Sequence, residues 1–234
     1  CLCEKSNRVV SIEMTESRAK VINERYKDVN NLEIIVGNID DVILEEKFDY
    51  VVVVGVLEYA KKFIKSDNPH ITFMEKLKKF LKDDGVILLA IENRLGLCYF
   101  AGLVEGHTNK LFLGLNNYDK YDYIRTFSKK ELTEIINEAG FKNHQFFYPF
   151  HNYAFPIAIY TDEALDYMSF GKHYPNICID RFSFFDEIKM YRTLQKENIV
   201  TNFSNAFLVE ISNSLNLNNN IIYAKSSATV NQRN

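Results

Sequence analysis

Val9 to Glu13 reads VVSIE, a short run of mostly apolar, β-branched residues closed by a carboxylate. Composition and length together predict a buried strand whose acidic end sits at the carboxyl edge of a sheet. Working outward, Ser17 to Tyr26 reads as a helix and Leu32 to Val36 as a second strand. Tyr50 to Val54 is so apolar that both of its faces should be covered, as in a parallel sheet flanked by helices. Ile71 to Leu81 repeats Phe73, Leu77, Phe80 and Leu81 at helical spacing, Asp83-Asp84-Gly85 reads as a turn, and Val86 to Ile91 as another buried strand. Strands alternating with helical patterns predict βαβ units and a parallel sheet, here with four strands and at least two crossover helices.

From Asn93 to Tyr123 the pattern dissolves into Gly, Asn, Tyr and Lys, too long a stretch for a simple connector. Order returns at Ser128, an N-cap with Glu131 three residues on, opening a helix that runs to Glu138 and stops at Ala139-Gly140. Phe141 to Tyr148 reads as a strand, a helix is expected near Phe185 to Glu197, and Ala206 to Ile211 reads as a last strand. These readings divide the chain into a first domain at 1–148, a cap or insertion at 149–202, the last strand of the sheet at 203–212, and a linker and tail at 213–234.

The 234 residues carry a formal net charge of −3, with no basic stripe to balance a phosphate backbone, so no nucleic-acid partner is expected. No apolar run approaches the roughly 18 to 20 residues of a membrane span. Cys1, Cys3, Cys98 and Cys178 have neither zinc nor disulfide-framework spacing, which makes reduced cytoplasm the simplest compartment. His70, His107, His144, His151 and His173 form no HxH or HExxH pattern, so no metal site is expected.

Taken in order, the segments from about Cys1 to Phe147 resemble the class I S-adenosylmethionine-dependent methyltransferases. CLCEK (Cys1 to Lys5) resembles the end of the helix after the family's glycine loop. Glu13 stands where the family's acidic residue grips ribose hydroxyls, and Gly37-Asn38-Ile39-Asp40 where a Gly-Asp pair contacts adenine, with Asn38 replacing the acid. An Asn carbonyl still accepts from the adenine amino group. Phe48-Asp49-Tyr50 and VVVVGVLE (Val51 to Glu58) resemble the fourth strand and the loop bordering the methyl group, FLKDDGVILLAI (Phe80 to Ile91) the turn and fifth strand, and Thr126 to Phe141 the late helix. A nicotinamide-dependent dehydrogenase shares the glutamate after a strand, but the Phe-Asp-Tyr strand and the Asp-Asp-Gly turn favour the methyltransferase.

The resemblance implies an α/β, Rossmann-like, doubly wound and mostly parallel sheet with an aromatic-rich C-terminal cap. It also implies S-adenosylmethionine as cofactor, with Glu13, Met14, Asn38, Ile39, Gly55 and Val56 as its binding residues. The glycine loop lies about 20 residues before the acidic residue, which places it and the first strand ahead of Cys1. The family's first strand is central, so its absence would leave strand edges to be met by another segment, by a homodimer or by loosening. IENRLGL (Ile91 to Leu97), Gly106-His107-Thr108 and Arg125 to Ser128 further resemble bacterial methyltransferases found beside glycosyltransferases, implying a small-molecule, sugar or polysaccharide acceptor.

Methyl transfer from a sulfonium is an in-line displacement, so alignment and water exclusion are the main requirements. For a hydroxyl acceptor a base helps, and His107 with its neighbour Glu105 is the candidate pair; the plain alternative is a surface loop histidine. Glu92, Asn93 and Arg94 follow the fifth strand, where open α/β sheets bind ligands, and either face the substrate or hold the loop. Glu58 and Tyr59 either line the methyl site or cap the next helix. The run Phe146, Phe147, Tyr148, Phe150, Tyr153 and Phe155 reads as a substrate cage or as core, and Tyr118, Tyr121 and Tyr123 as a lid or an oligomer contact. A second class of function stays open, a non-catalytic methyltransferase-fold binding or scaffold module of a larger multidomain protein.

Overall fold

The structure, a computed structural model, describes residues 2–119, 123–167, 181–214 and 223–225. Cys1, Tyr121, His173, Cys178 and residues 215–222 and 226–234 lie outside the described residues. The chain divides into two compact units, Cys1–Glu46 and Lys47–Asn234.

The first unit is one βαβ turn. A short 3-10 turn at Leu2–Glu4 stands where the end of a helix was expected, held by the Asn31 side-chain amide donating to the Cys3 and Ser6 carbonyls at 2.9 and 2.7 Å. Strand β1 (Val9–Glu13), helix α1 (Glu16–Arg25) and strand β2 (Leu32–Val36) follow, with β1 and β2 parallel from Val9 opposite Leu32 to Glu13 opposite Val36. Arg8 forks between Glu33 and Glu46, an exposed pairing that adds little stability.

The second unit contains β3 (Phe48–Val54), a 3-10 turn at Leu57–Tyr59, α2 (Ala60–Phe63), α3 (Pro69–Lys79), β4 (Leu81–Glu92), α4 (Leu97–Phe100) and α5 (Lys129–Glu138). It continues with β5 (Asn143–Phe150), β6 (Ala158–Tyr160), α6 (Asp162–Tyr167), α7 (Glu187–Lys196), a 3-10 turn at Val200–Phe203, β7 (Ala206–Ser212) and β8 (Tyr223–Lys225). Its sheet has the order β3-β4-β7-β5-β6-β8. Strands β3 and β4 are parallel, and β7 runs antiparallel to both β4 and β5, so β3, β4 and β5 point the same way around one reversed strand. The fold is mixed α/β and Rossmann-like, and among the described strands the reversal is confined to the C-terminal half of the chain.

Two local expectations are corrected. Strand β3 is not covered on both faces: Tyr50, Val52 and Val54 are 63%, 45% and 53% exposed while Val53 is buried. An apolar run alone does not say how many faces are covered, and here only the odd-numbered side meets the core. The Asp83-Asp84-Gly85 turn does not end one element and start another. It bulges out within β4, where Phe48 pairs with Leu81 but Tyr50 already pairs with Val86. Gly85 fits there because a Cβ would lie 2.9 Å from the Phe48 carbonyl oxygen.

The core lies between β4 and β7 and the helices on them. Ile87, Leu89 and Ile91 alternate inward along β4, Phe207, Val209 and Ile211 along β7, and Phe73, Met74 and Leu77 face in from α3. The aromatic run on β5 is core rather than cage over most of its length. Phe146, Phe147, Tyr148 and Phe150 are buried, Phe146 and Phe207 meet edge to face at 5.3 Å, and only Phe155 is largely exposed. Helix α5 starts as its sequence requires. Ser128 Oγ accepts from the Glu131 amide and the Glu131 carboxylate accepts from the Ser128 amide, a capping box. Ser128→Ala is expected to lower unfolding stability by about 1 kcal/mol, read as a lower urea midpoint with an unchanged slope.

Candidate functional site

Two strand ends and one loop build the site in the second unit. After Val54 the chain turns at Gly55, whose φ is +62° and whose amide donates to the Ala90 carbonyl at 3.0 Å. That left-handed turn leads into the 3-10 segment that buries Leu57 and Glu58 completely. Next door, β4 ends in Glu92. A Cβ on Gly55 would stand 2.8 Å from the Tyr153 hydroxyl and 3.4 Å from Glu58 Oε1, so only glycine lets these groups approach. Gly55→Ala combines this clash with a strained φ and is expected to cost about 1 to 2 kcal/mol, measured by chemical denaturation.

The loop after β4 is tied down by the residues that open it. Asn93 is fully buried; its side-chain amide donates to the Asn202 and Ser204 carbonyls, both at 2.8 Å, and its oxygen accepts from the Leu95 amide at 3.0 Å. Arg94 donates to Glu131 at 2.6 Å and to the Gly114 carbonyl at 2.9 Å. Glu105 is 4% exposed and accepts from the Gly114 amide, shaping the loop from inside. The Tyr118 hydroxyl joins in through Thr126 at 2.8 Å.

So held, the loop delivers His107 to the strand ends. Its Nδ1 lies 2.6 Å from the Tyr59 hydroxyl, and its Nε2 lies 3.3 Å from Glu92 Oε2 and 3.6 Å from Glu58 Oε1. Neither oxygen of Glu58 has a hydrogen-bond partner among the described residues. Burial therefore pushes its carboxyl up to about 7, with the Glu92 charge adding to the rise and its own backbone amide and His107 opposing it. His107 is raised above the ordinary histidine value, first by its hydrogen bond with Glu92 and then by the charges of Glu92, Glu58 and Glu105, against its partial burial. Tyr153 is raised by burial and by the nearby Glu92 and Glu58. Two carboxylates, an imidazole and two phenols thus converge at the carboxyl edge of parallel strands, where open α/β sheets bind ligands.

The sequence-read residues of the second unit fall into three groups. Glu58, Tyr59, Glu92 and His107 come together; Asn93, Arg94 and Glu105 hold the loop that brings His107 in; Gly55 makes the turn beside them, with Val56 partly exposed next to it. In the first unit, Glu13 Oε1 accepts from the Thr15 amide at 2.8 Å and the Glu13 carbonyl accepts from Gly37 at 3.0 Å. This sets Glu13 beside the turn of Asn38 and Ile39, whose Asn38 Oδ1 accepts from the Asp40 amide at 3.1 Å, with Met14 53% exposed. Tyr153 was legible only as part of an aromatic run, and the meeting of Glu58 with His107 had no signal in spacing. An open cleft of about 670 Å³ elsewhere in the second unit is lined by Lys61, His70, Asn117, Arg125, Glu134 and others, and contains none of the clustered acids or His107. Among the described residues no helix is long and apolar enough to cross a membrane.

Residues 1–89 match a family model described as a methyltransferase domain. No curated protein matches the chain. Solved structures similar to it include the N-methyltransferase NodS from Bradyrhizobium japonicum, 18% identical, covering 37% of this chain and 42% of that one with a TM-score of 0.33. A possible histamine N-methyltransferase from Thermotoga maritima is 15% identical over 88% of this chain and 72% of that one, with a TM-score of 0.48. PKMT2 from Rickettsia typhi is 15% identical over 92% of this chain and 46% of that one, with a TM-score of 0.46. The chain thus spans less than half of NodS and of PKMT2. Over residues 1–89, the βαβ units included, the chain is similar in sequence to a methyltransferase domain.

Proposed function

We propose that this protein transfers a methyl group from S-adenosylmethionine to a hydroxyl of a small-molecule, sugar or polysaccharide acceptor. The methyltransferase-domain match is the observation that carries the reaction class. The acceptor class rests on the resemblance of IENRLGL and the His107 loop to methyltransferases found beside glycosyltransferases. A reducing, cytoplasmic and bacterial setting goes with this reading, and Cys3 and Cys98 are free thiols.

The residues fit the cofactor where its recognition can be tested. Glu13 uses one oxygen for Thr15, and a carboxylate keeps further acceptor capacity for a ribose diol. In the first unit we assign Glu13 and Met14 to the ribose side, and Asn38 and Ile39 to adenine. In the second we assign Gly55 and Val56 to the methyl side. S-adenosylmethionine, when bound, supplies an electrophilic methyl on a sulfonium. The chain then has to orient the acceptor oxygen, exclude water and take one proton. His107 is assigned the proton-accepting role, with Glu92 and Glu58 stabilising its charged form and Tyr59 fixing its ring. Glu105, Asn93 and Arg94 position that histidine through the loop.

Titration of S-adenosylhomocysteine into the full-length protein, followed by labelled methyl transfer onto hydroxyl-bearing sugars, tests the reading. Micromolar binding with transfer to a sugar supports it. Binding without transfer to sugars removes the acceptor class, and no binding removes the methyltransferase reading in favour of a scaffold module.

A further inference from the structure

We infer that Glu58, Glu92 and His107 form a binding site for one divalent transition cation of the Mn2+ or Zn2+ type. The inference stands on the geometry of the second unit and does not depend on the methyl-transfer reading. One ligand atom from each of Glu58, Glu92 and His107 lies within 4.8 Å of the other two. A cation about 2.0 to 2.2 Å from each ligand would hold neighbouring ligands roughly 3 to 3.5 Å apart. The separations of 3.3 and 3.6 Å from Nε2 to the two carboxylates already lie close to that range.

The second, independent observation is the state of Glu58. Its side chain is entirely buried, and neither oxygen has a hydrogen-bond partner among the described residues. An ionised carboxylate without partners is among the least favourable groups to bury, and such groups in proteins are paired or bind metal. It points at His107 Nε2 and shares that nitrogen with a second carboxylate. If Nδ1 carries the proton and donates to the Tyr59 hydroxyl 2.6 Å away, Nε2 presents a lone pair to two acidic oxygens. Three electron-rich atoms then face one another, and a divalent cation between them removes the repulsion. The Tyr59 contact is also the kind of outer hydrogen bond that fixes the ring of a ligating histidine.

The donor set narrows the ion. Two carboxylate oxygens and one imidazole nitrogen suit Mn2+, Fe2+, Co2+ and Zn2+ better than soft or purely oxygen-seeking cations. The side chains of His107 and Glu92 are 16% and 19% exposed whereas Glu58 is sealed, so the remaining coordination positions open on the Glu92 side. A water or an acceptor hydroxyl has room to bind there. Spacing along the sequence hides the site because its ligands come from three separate segments, with no HxH or HExxH repeat.

The test uses the purified protein stripped with chelator, with MnCl2 alone as the probe. Calorimetry is expected to show one Mn2+ per chain, and pulsed paramagnetic resonance a nitrogen coupling from the bound ion. Glu58→Gln, which keeps shape and removes charge, and His107→Ala should each weaken binding. His107→Ala should also abolish the nitrogen coupling, while Tyr59→Phe weakens binding by about tenfold. Zn2+ replacing Mn2+ with the same dependence on these residues supports the site equally. Two results overturn it: no binding of either ion to protein shown by circular dichroism to be folded, or binding that persists unchanged in both ligand variants. The second would assign the ions to surface carboxylates and leave a shared proton to hold Glu58, Glu92 and His107 together.

Discussion

His107→Ala is expected to lower kcat for the proposed methyl transfer by about 10² to 10⁴-fold, the range for loss of a positioned proton-transfer group, while leaving S-adenosylhomocysteine affinity unchanged. The imidazole stands on the side chains of Tyr59, Glu92 and Glu58 and takes no part in the core. Its removal should therefore leave the fold intact. Glu105→Gln offers the contrast. Glu105 is inside the loop with its carboxylate on the Gly114 amide, so its variant should lower stability and activity together. The two are separated by pairing single-turnover rates with urea midpoints. Unchanged kcat in His107→Ala would remove the histidine from the proton transfer. If the ion at the same residues is what activates the acceptor, the wild-type rate will also fall on chelation and recover with Mn2+, which a histidine acting only as a base would not show.

Acid is expected to destabilise the protein through His70. This ring packs edge to face on Phe127 at 4.8 Å, and its Nε2 is buried without a hydrogen-bond partner. Burial, with the charges of Arg125 and Lys61, pulls it down from the ordinary value of 6.5 to about 4. The sign follows from linkage. Below 6.5 the unfolded chain takes up a proton that the folded chain refuses, so the stability held above 6.5 is lost as pH falls toward about 4. The loss amounts to about 3 kcal/mol at 1.36 kcal/mol per pKa unit. In urea titrations at a series of pH values, His70→Phe should flatten the slope between pH 6.5 and 4 by about one proton, while keeping the ring contact with Phe127. Parallel curves for the two proteins would show that His70 is protonated in the fold.

Much of the architecture was readable because it depends on local pattern. VVSIE and LEIIV became adjacent parallel strands with the boundaries their composition gives, and Ser128 with Glu131 made the capping box their spacing requires. The DDG triplet was legible as a backbone irregularity but not as a bulge, since turn residues say that the chain must deviate and not whether the strand resumes. The two faces of β3 were misread for a similar reason: five apolar residues state a preference for burial, and packing decides which of them obtain it.

The site divides along the same line. Sequence alone determined the chemistry available: acids after two strands, a histidine in a long loop, and a resemblance to methyltransferases that implies a cofactor. It suggested Glu105 as the histidine's companion because adjacency is what a sequence displays. Only the tertiary structure decided that Glu105 turns inward to shape the loop while Glu58 and Glu92 meet His107. Those contacts join residues 49 and 15 positions apart, and they exist because parallel pairing of β3 and β4 sets two strand ends side by side beneath a loop anchored by buried Asn93. Local propensity fixes elements over a few residues, whereas the energy of a buried carboxylate depends on which distant groups the fold places beside it.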